Sequence, residues 1–560
     1  MAAPSAPTRK PSAQNEVWRA NPFHRMRLGE AAAPDRLVHW GRDPRVGDAA
    51  RGADIAKGVW RIAAERMAGE YPVPWDRPHP SRHFTARLHS FSWLVDLAAA
   101  NAPGRLIDLI ETWVDRYGEW DDLAWDAELT AERLFAWLCW GAQAFESGDP
   151  GKRVALLRSA ARQARLLLLA QSELSERHTA AIKAGAALIL AGAAGFPDQE
   201  RLGQEGEELL IEACAKQFLA DGGHISRSPE AAAEALYDLI ATLDALAAYD
   251  EDSPRVRETA QKITNMLRML RHGDGGLGCF QGGSENTAAS IDAALARIGG
   301  EARTFQFATH SAYQRLEAKD LVVLFDVGGA PPAAYSERAH AGALAFELSS
   351  GGERIIVNVG AARELEPDGR MAARATNAHS TLVVGDALSA EFEEQRRGRG
   401  AARLVGPNLD DVRRSSDESG ITVQGRHDGY RAEFGLLHRR YLFIDHVGRN
   451  LRGIDELMRP VKAKGPTLKK PIPFVARFHL HPSVTASLIE HQMVLLQTSS
   501  GQRWRLRTDA PKVEIVASIY WGGRAVPQDT SQIVISGAAD PQGHGLSPPN
   551  RIRWALARAD

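Results

Sequence analysis

The sequence has few cysteines, no long apolar run and almost no net charge. Its three cysteines, Cys139, Cys214 and Cys279, lie far apart in apolar or glycine-rich surroundings, which predicts reduced structural thiols. No stretch approaches the roughly 18 consecutive apolar residues that span a bilayer. The 68 basic residues are offset by 70 acidic ones, so the composition gives no indication of a nucleic-acid-binding protein.

The N-terminal segment also lacks the apolar core of a secretory signal. Residues 1–30 contain Pro, Ser, Arg and Lys instead, and we predict a flexible leader over residues 1–49. Without a signal or a membrane span, the simplest expectation is a cytoplasmic protein. At 560 residues, the chain is too long for a single core and should divide into two or three domains.

The first half of the chain has the apolar spacing of amphipathic helices. From about residue 54 to residue 291, Ala and Leu dominate, and breaks that contain Gly, Pro, Asn or Asp separate the helical segments. Short helices that pair in series predict an α/α solenoid or toroid over residues 50–299.

After residue 299 the pattern changes to short alternating or apolar runs. Residues 321–327 and 354–359 are examples, and turns rather than long helices separate such runs. This arrangement predicts an antiparallel β-sandwich over residues 300–560. A stretch rich in Lys and Pro, from Pro460 to Pro473, predicts a long exposed loop. The predicted fold class is therefore a multidomain α+β protein.

A polar loop with two glycines interrupts the helical half at residues 221–230. The glycines permit a sharp turn, and the Ser-Pro pair that follows has the pattern of a helix start. His224 and Arg227 are thereby placed at a helix N-terminus, where the first can move a proton near neutral pH and the second can bind an anion. The alternative is a loop with two solvated polar side chains.

Tryptophan lies beside Arg, His and Asp in two segments of the helical half, residues 82–93 and residues 120–128. The second segment precedes the helix that carries Arg133. A flat ring for a sugar and forked polar groups for its hydroxyls and carboxylates are what a carbohydrate groove requires. The alternative is that the tryptophans fill the core, and for Trp93 and Trp125 both alternatives stay open.

Histidines recur in the second half, at positions 340, 379, 427, 438, 479 and 481. Two or three of them could hold zinc together with a carboxylate, but their spacing is not that of a compact metal motif. Each histidine taken singly has the alternative role of a hydrogen-bonded structural side chain.

Several of these motifs follow one another in an order that resembles the heparinase II/III-like family of polysaccharide lyases. They lie at residues 87–94, 221–229, 271–275, 335–348, 377–384, 427–430, 438–440 and 477–482. The likeness covers most of the chain after residue 50. It implies an incomplete α/α toroid that carries an antiparallel β-sandwich, with the active cleft between them.

The resemblance implies β-elimination of a glycan that contains uronic acid. A cation or hydrogen-bond donor neutralises the carboxylate, a base removes the C5 proton, and an acid protonates the departing O4. His178 is similar to the family's helical Asn/His position, although Arg177 replaces the preceding Asn. His379 resembles the β-domain histidine of the cleft. Characterised lyases often carry a tyrosine after the Ser228-Pro229 pair, and this chain has Glu230 and alanines there.

These considerations yield three sets of candidate residues. The catalytic candidates, with Tyr313 or Tyr430 in place of the missing tyrosine, are His178, His224, Arg227, His379 and Tyr313. The candidates for substrate binding are Arg87, His89, Trp93, Trp125, Arg133, Arg177 and His272. The zinc that some relatives hold would map to His379, Asp386 and His427.

The expected partner is an acidic polysaccharide or oligosaccharide. No cofactor is required, while a structural zinc and a homodimer stay open. A first alternative function is a glycoside hydrolase, which would pair Glu176 or Glu230 with Asp126 or Asp274. A second is a non-catalytic glycan-binding protein, which would explain the missing tyrosine.

Overall fold

A computed structural model shows the elements that the two sequence patterns predict. For His178, Thr179 and Pro367 the structure describes the secondary structure but not the side chain. The residues that the structure describes are 26, 28–29, 31–62, 65–69, 73–146, 149–249, 251–299, 305–362, 367–394, 401–459, 466, 468–490, 492–522, 527–541 and 550–559.

The chain divides into two compact units, and each combines two segments of the sequence. The first unit contains Met1–Lys216 and Tyr237–Arg257, and the second contains Gln217–Leu236 and Glu258–Asp560. The helical segments before residue 299 are therefore shared between the units. The predicted boundary at residue 299 does not coincide with this division, because the loop at residues 221–230 and the chain from residue 258 onward group with the strands.

Several helices begin where capping residues occur. Asp126 accepts a hydrogen bond from the backbone N–H of Glu128, and Asp149 precedes a helix that starts with Pro150, so both helix starts follow the usual capping chemistry. The helices are α1 Ala49–Ala56, α2 Arg82–His89, α3 Leu94–Ala99, α4 Pro103–Tyr117, α5 Ala127–Trp140, α6 Ala142–Phe145, α7 Pro150–Leu169, α8 Gln171–Leu174, α9 His178–Ala193, α10 Gln199–Gln217, α11 Pro229–Ala247, α12 Pro254–Met269, α13 Ala288–Ile298, α14 Pro367–Arg374 and α15 Arg431–Phe434.

Aromatic side chains form the centre of the first unit. Phe91 stacks on Trp93 with ring centroids 4.8 Å apart, and it meets Trp137 edge-on at 5.5 Å. Trp137 also meets Trp113 edge-on at 5.4 Å. Each of these side chains is buried, so the tryptophans of this unit supply apolar packing area rather than an open surface.

Part of the predicted flexible leader packs on the first unit. The backbone N–H groups of Val38 and Gly41 donate to the carbonyl oxygens of Ala194 and Leu138, both at 3.0 Å. These acceptors lie at the C-terminal ends of α9 and α5, where helix carbonyls lack partners within the helix. The leader's residues 31–48 therefore complete two helix ends, while residues 1–25 lie outside the described residues.

Most strands of the second unit form two large antiparallel sheets. All strands of the chain are β1 Trp60–Ile62, β2 Glu65–Met67, β3 Phe307–Ala308, β4 Tyr313–Ala318, β5 Leu321–Asp326, β6 Phe346–Ser350, β7 Glu353–Val357, β8 Leu382–Val384, β9 Glu391–Glu393, β10 Arg403–Val405, β11 Leu409–Ser416, β12 Gly420–His427, β13 Leu437–Asp445, β14 Asn450–Met458, β15 Ile472–Leu480, β16 Thr485–Glu490, β17 Met493–Gln497, β18 Arg503–Thr508, β19 Lys512–Tyr520, β20 Gln528–Ala539 and β21 Arg551–Ala559. One sheet has the order β11-β12-β13-β14-β21-β18-β17-β16, and the other has the order β19-β20-β15-β7-β6-β5-β4-β3, with β8 also paired to β15.

The core of the second unit is formed by side chains of both sheets. Trp554 on β21 stacks against Phe346 on β6 at 5.5 Å and meets Phe478 on β15 edge-on at 4.9 Å. Strand β13 alternates between buried and partly exposed residues along its whole length, as a strand with one face on a core does. Half of the predicted loop over Pro460–Pro473 lies outside the described residues, and β15 begins at Ile472.

Among the helices that the structure describes, none is both long enough and apolar enough to cross a bilayer.

Candidate functional site

Arg227 lies in the loop before α11, and its guanidinium is only 7% exposed. Its backbone φ is 63°, a left-handed conformation that is unusual for a residue other than glycine. The guanidinium forms an ion pair with Asp326 at the end of β5 and donates to the carbonyl of Gly329 at 2.7 Å. Burial acts to lower its pKa, but the Asp326 carboxylate raises it, and the pKa of Arg227 lies above its usual range.

Tyr313 is directly bonded to the same loop. Its phenol O–H donates to the Arg227 carbonyl at 2.6 Å, and the Arg227 guanidinium lies over its ring, 4.9 Å from the centroid. The side chain is buried on β4. Burial raises the pKa of Tyr313 well above its ordinary value, so the phenol keeps its proton near neutral pH.

His379 is held between a backbone carbonyl and a second histidine. Its Nδ1 lies 2.8 Å from the carbonyl oxygen of Ala375, and its Nε2 lies 3.0 Å from His340 Nδ1. Because a carbonyl only accepts, Nδ1 of His379 carries the proton, and its Nε2 accepts from His340. Burial lowers the pKa of His379 to about 4, so the ring is neutral near pH 7.

A chain of hydrogen bonds connects these predicted residues. Gln281 donates from Nε2 to the second oxygen of Asp326 at 3.0 Å, and its Oε1 accepts the backbone N–H of His340 at 3.1 Å. Arg227, Tyr313 and His379 are thus brought into one buried network. Sequence reasoning missed Asp326 and Gln281 as members, although Asp326 ends a recognised apolar run and His340 lies inside a recognised motif.

His224 has separate partners. Its Nδ1 lies 2.7 Å from the hydroxyl of Ser226, and its Nε2 lies 3.3 Å from the side-chain oxygen of Gln217. The imidazole is buried. Both of its ring nitrogens therefore have partners within the loop and the end of α10, and its carbonyl accepts the backbone N–H of Arg227 at 2.7 Å. The side chain of His178 lies outside the described residues.

This chain is similar in sequence and in fold to known proteins. Residues 301–555 match the family model "Heparinase II/III-like, C-terminal". FtsZ-localized protein C of Caulobacter vibrioides is 32% identical over 97% of this chain and 94% of its own length. The chain belongs to the heparinase II/III-like family.

Solved structures of this fold cover both units. Heparinase III has a TM-score of 0.65 at 14% identity and covers 98% of this chain and 88% of its own. A mutant of the heparan sulfate lyase HepC from Pedobacter heparinus has a TM-score of 0.60 at 14% identity and covers 98% of this chain and 89% of its own. The predicted fold, an α/α toroid followed by an antiparallel β-sandwich, is confirmed. The chain has the scaffold of a polysaccharide lyase.

His272, a substrate-binding candidate of this heparinase II/III-like chain, is buried against β6. Its Nε2 lies 3.0 Å from Glu347 Oε2, and its Nδ1 lies 2.9 Å from the hydroxyl of Ser349. The backbone N–H groups of Cys279 and Asn358 also donate to Glu347, at 3.2 and 3.0 Å. This arrangement supplies a buried carboxylate with hydrogen bonds and leaves His272 no exposed ring nitrogen.

The carboxylates that a hydrolase would use have structural partners. Glu230 accepts from the hydroxyl of Ser284 at 2.7 Å and from its backbone N–H at 3.1 Å. Asp274 accepts from Arg354 Nε at 2.7 Å. Burial acts to raise the pKa of Asp274, but the Arg354 guanidinium lowers it below its usual range. The Asp274 carboxyl group therefore does not have the raised pKa of a general acid.

The two tryptophan candidates of the first unit are buried rather than aligned along a groove. Trp93 donates from Nε1 to the carbonyl of Leu88 at 3.0 Å, and Trp125 donates to the carbonyl of Tyr117 at 2.8 Å. Both tryptophans are 2% exposed, so neither ring can stack on a sugar in this conformation. The loop signals beside Trp93 and Trp125 in the sequence gave no indication that these side chains are buried.

Arg133 and His89 are also in the core of this unit. Arg133 is fully buried and donates to the carbonyls of Ala124 at 2.7 Å and His89 at 3.1 Å. Burial lowers the pKa of Arg133 to about 9 and that of His89 to about 3. Trp113 Nε1 donates to His89 Nδ1 at 2.9 Å. These polar groups satisfy one another in the core.

Arg87 and Arg177 are the substrate-binding candidates whose side chains reach the surface. The Arg87 side chain is 45% exposed and lies 3.3 Å from Glu132. The Arg177 side chain is 33% exposed and pairs with Asp126 at 3.0 Å and Glu173 at 2.5 Å. Both guanidiniums therefore face carboxylates of their own unit.

The predicted zinc ligands are not assembled into a site. His427 accepts the backbone N–H of Gly429 at Nδ1, 3.1 Å away, and its Nε2 lies 3.0 Å from His438 Nδ1. His438 Nε2 in turn lies 2.8 Å from Asp455. Among the described side chains, which include His379, Asp386 and His427, no group of three His, Cys, Asp or Glu could hold a metal ion. The residues present do not fit zinc, because both ring nitrogens of His427 have hydrogen-bond partners.

Proposed function

We propose that this protein localises with FtsZ, and that its polysaccharide-lyase scaffold serves this association without β-elimination. The observation that carries the proposal is the 32% identity to FtsZ-localized protein C over 97% of the chain. The identity to the lyases of known structure is 14%. The proposal implies a cytoplasmic protein, the compartment that the sequence analysis expects.

The chemistry of the buried network supports the second part of the proposal. Elimination requires a cation that is available to the substrate carboxylate and a base that can take the C5 proton. Arg227 is paired with Asp326 and is buried. Tyr313 has a pKa raised by burial, and its O–H is donated to a backbone carbonyl. The Nε2 of His379, its one acceptor nitrogen, is occupied by His340.

Co-sedimentation of purified protein with polymerised FtsZ tests the association. The protein is expected in the pellet only when FtsZ is polymerised. Heparinase III is the matched control, because it shares the fold but only 14% of the sequence, and it should remain in the supernatant. If both proteins pellet equally, the scaffold alone causes sedimentation. If neither pellets, direct association with FtsZ is excluded.

A second candidate function is cleavage of an acidic, uronate-containing polysaccharide by β-elimination. The observation that favours it is the connection of three predicted catalytic residues, Arg227, Tyr313 and His379, in one network. A panel of uronate-containing glycans would be screened for ultraviolet absorbance, because elimination leaves a conjugated product. Absorbance that His379→Ala or His224→Ala abolishes would support this candidate, whereas new reducing ends without absorbance would indicate a hydrolase.

The possibility of a homodimer, which the sequence left open, stays untested. Size-exclusion chromatography with light scattering would test it, since a dimer doubles the mass of 61.0 kDa.

A further inference from the structure

A concavity rich in cations lies in the β-rich unit, at one end of its sheets. Its volume is about 670 Å³. Four cationic side chains line it, Lys319, Arg449, Arg503 and Arg558, together with one acidic side chain, Asp320. A chain whose total charge is close to neutral therefore concentrates positive charge at this place.

Turns that are distant in sequence form the walls of the concavity. Lys319 and Asp320 are the two-residue turn between β4 and β5, with φ of 53° at Lys319. Arg449 lies in the turn between β13 and β14, and Arg503 begins β18. The backbone N–H of Arg558 donates to the carbonyl of Arg449 at 2.8 Å. The turn between β13 and β14 is thus hydrogen-bonded to the last strand, β21.

The acidic residue of the lining orients one of the cations. Arg558 Nη1 lies 3.1 Å from Asp320 Oδ2, and the Ser350 hydroxyl donates to the same oxygen at 3.3 Å. Arg558 therefore has a charge partner, while Lys319 and Arg503 are exposed cations elsewhere in the lining.

The wall between β17 and β18 is held in place by Glu353. The hydroxyl groups of Thr498 and Ser499 donate to its two oxygens at 2.5 and 2.6 Å, and the backbone N–H of Ser500 donates at 2.8 Å. Burial opposes ionisation, but these hydrogen bonds lower the pKa of Glu353 to about 2. A wall that is fixed before a ligand arrives loses little entropy on binding.

The lining chemistry defines the class of ligand. Guanidinium and ammonium groups bind phosphate, sulfate and carboxylate groups through charge-assisted hydrogen bonds. The volume is that of a small-molecule site. None of the described residues that line the concavity is aromatic, so it offers no platform for a base or a sugar ring. We propose that the concavity binds a compact soluble oligoanion that carries two or more phosphate, sulfate or carboxylate groups.

Calorimetric titration of the full chain with tripolyphosphate tests this proposal. Arg503→Gln and Lys319→Gln should each weaken binding about tenfold, because each removes a charge-assisted contact. Arg505→Gln is the matched control. It removes the same charge two residues further along β18, also from an exposed position, but outside the concavity. The affinity of Arg505→Gln for tripolyphosphate should equal that of the wild-type protein. Added salt should weaken the binding of tripolyphosphate in every titration.

Three results would overturn the proposal. The first is the absence of binding to the wild-type protein at low salt. The second is equal weakening by Arg503→Gln and Arg505→Gln, which would indicate attraction to the general surface charge. The third is sedimentation with phosphatidylglycerol vesicles, lost in Arg503→Gln, without any binding of free tripolyphosphate. That result would assign the concavity to a lipid headgroup.

Discussion

Single buried residues in this protein keep one protonation state because their partners require it. His89 is the clearest case, since its Nδ1 accepts the indole N–H of Trp113, and a protonated Nδ1 could not accept it. The folded-state pKa of His89 is about 3, below the ordinary value of 6.5. Between these two values the unfolded chain binds a proton that the folded chain does not, so stability falls as the pH falls.

We therefore predict that acidification weakens the fold, and that His89→Gln reduces the effect. His479, with a pKa lowered by burial to about 3, and His379 contribute in the same direction. Urea unfolding at about pH 7.5 and about pH 5.5 should give a smaller stability difference for His89→Gln, by about 1 kcal/mol. His446→Gln removes an exposed histidine and serves as the control. An unchanged pH dependence in His89→Gln would contradict the role of this residue.

The pair of Arg227 and Asp326 gives a second prediction at this scale. Asp326→Asn leaves a guanidinium buried without its charge partner, which should lower the free energy of unfolding by about 3–5 kcal/mol. The double variant Arg227→Met/Asp326→Asn should recover part of that loss, since no unpaired charge remains. Thermal unfolding of the two single variants and the double variant measures the coupling. Strictly additive losses would show that the pair is not the structural contact inferred here.

The residue scale also shows where sequence reasoning succeeds and where it stops. Motif order identified Arg227 and His379 as notable residues, and the structure places both in one network. Asp326, the partner of Arg227, is 99 positions from it in sequence, and no local pattern indicates such a contact. The sequence left burial of Trp93 and Trp125 open for the same reason, because a residue beside a loop signal can still face the core.

At the scale of elements, strand pairing explains why particular small residues are needed. Gly453 on β14 is the register partner of Trp554 on β21, and a Cβ added at Gly453 would lie 2.0 Å from the indole. Gly453→Ala should therefore displace the central tryptophan and cost about 1–3 kcal/mol by overpacking.

A matched substitution in the same unit separates this effect from a general response to alanine. A Cβ at Gly352, in the turn between β6 and β7, would meet nothing within 4 Å, so Gly352→Ala should leave the melting temperature nearly unchanged. Equal melting temperatures for both alanine variants would contradict the proposed packing of Trp554.

The type of each element could be predicted from the sequence more fully than the compact unit to which it belongs. Helical spacing and β-alternation predicted helices before residue 299 and strands after it, because each periodicity comes from local geometry. The division of the helices between two units depends on tertiary contacts. The loop that carries Arg227 groups with the strands, and its helical neighbours in sequence gave no sign of this.

At the scale of the whole molecule, one scaffold has two kinds of relative. It resembles lyases in fold at 14% identity, and it resembles FtsZ-localized protein C at 32% identity over nearly its full length. Of the residues predicted to catalyse elimination, the described side chains of His224, Arg227, Tyr313 and His379 have partners inside the fold, which supports the proposal that this chain keeps the lyase architecture for association rather than for cleavage.

Imaging of a fluorescent fusion of this protein in cells with a second label on FtsZ tests this inference most directly. The account predicts that the two labels coincide and that the fusion loses its position when FtsZ is depleted. A fusion of the Asp326→Asn variant would show whether the localisation requires the intact fold. A fusion of heparinase III would show whether it requires this particular sequence. A diffuse signal from a stable, full-length fusion in cells with assembled FtsZ would contradict the account.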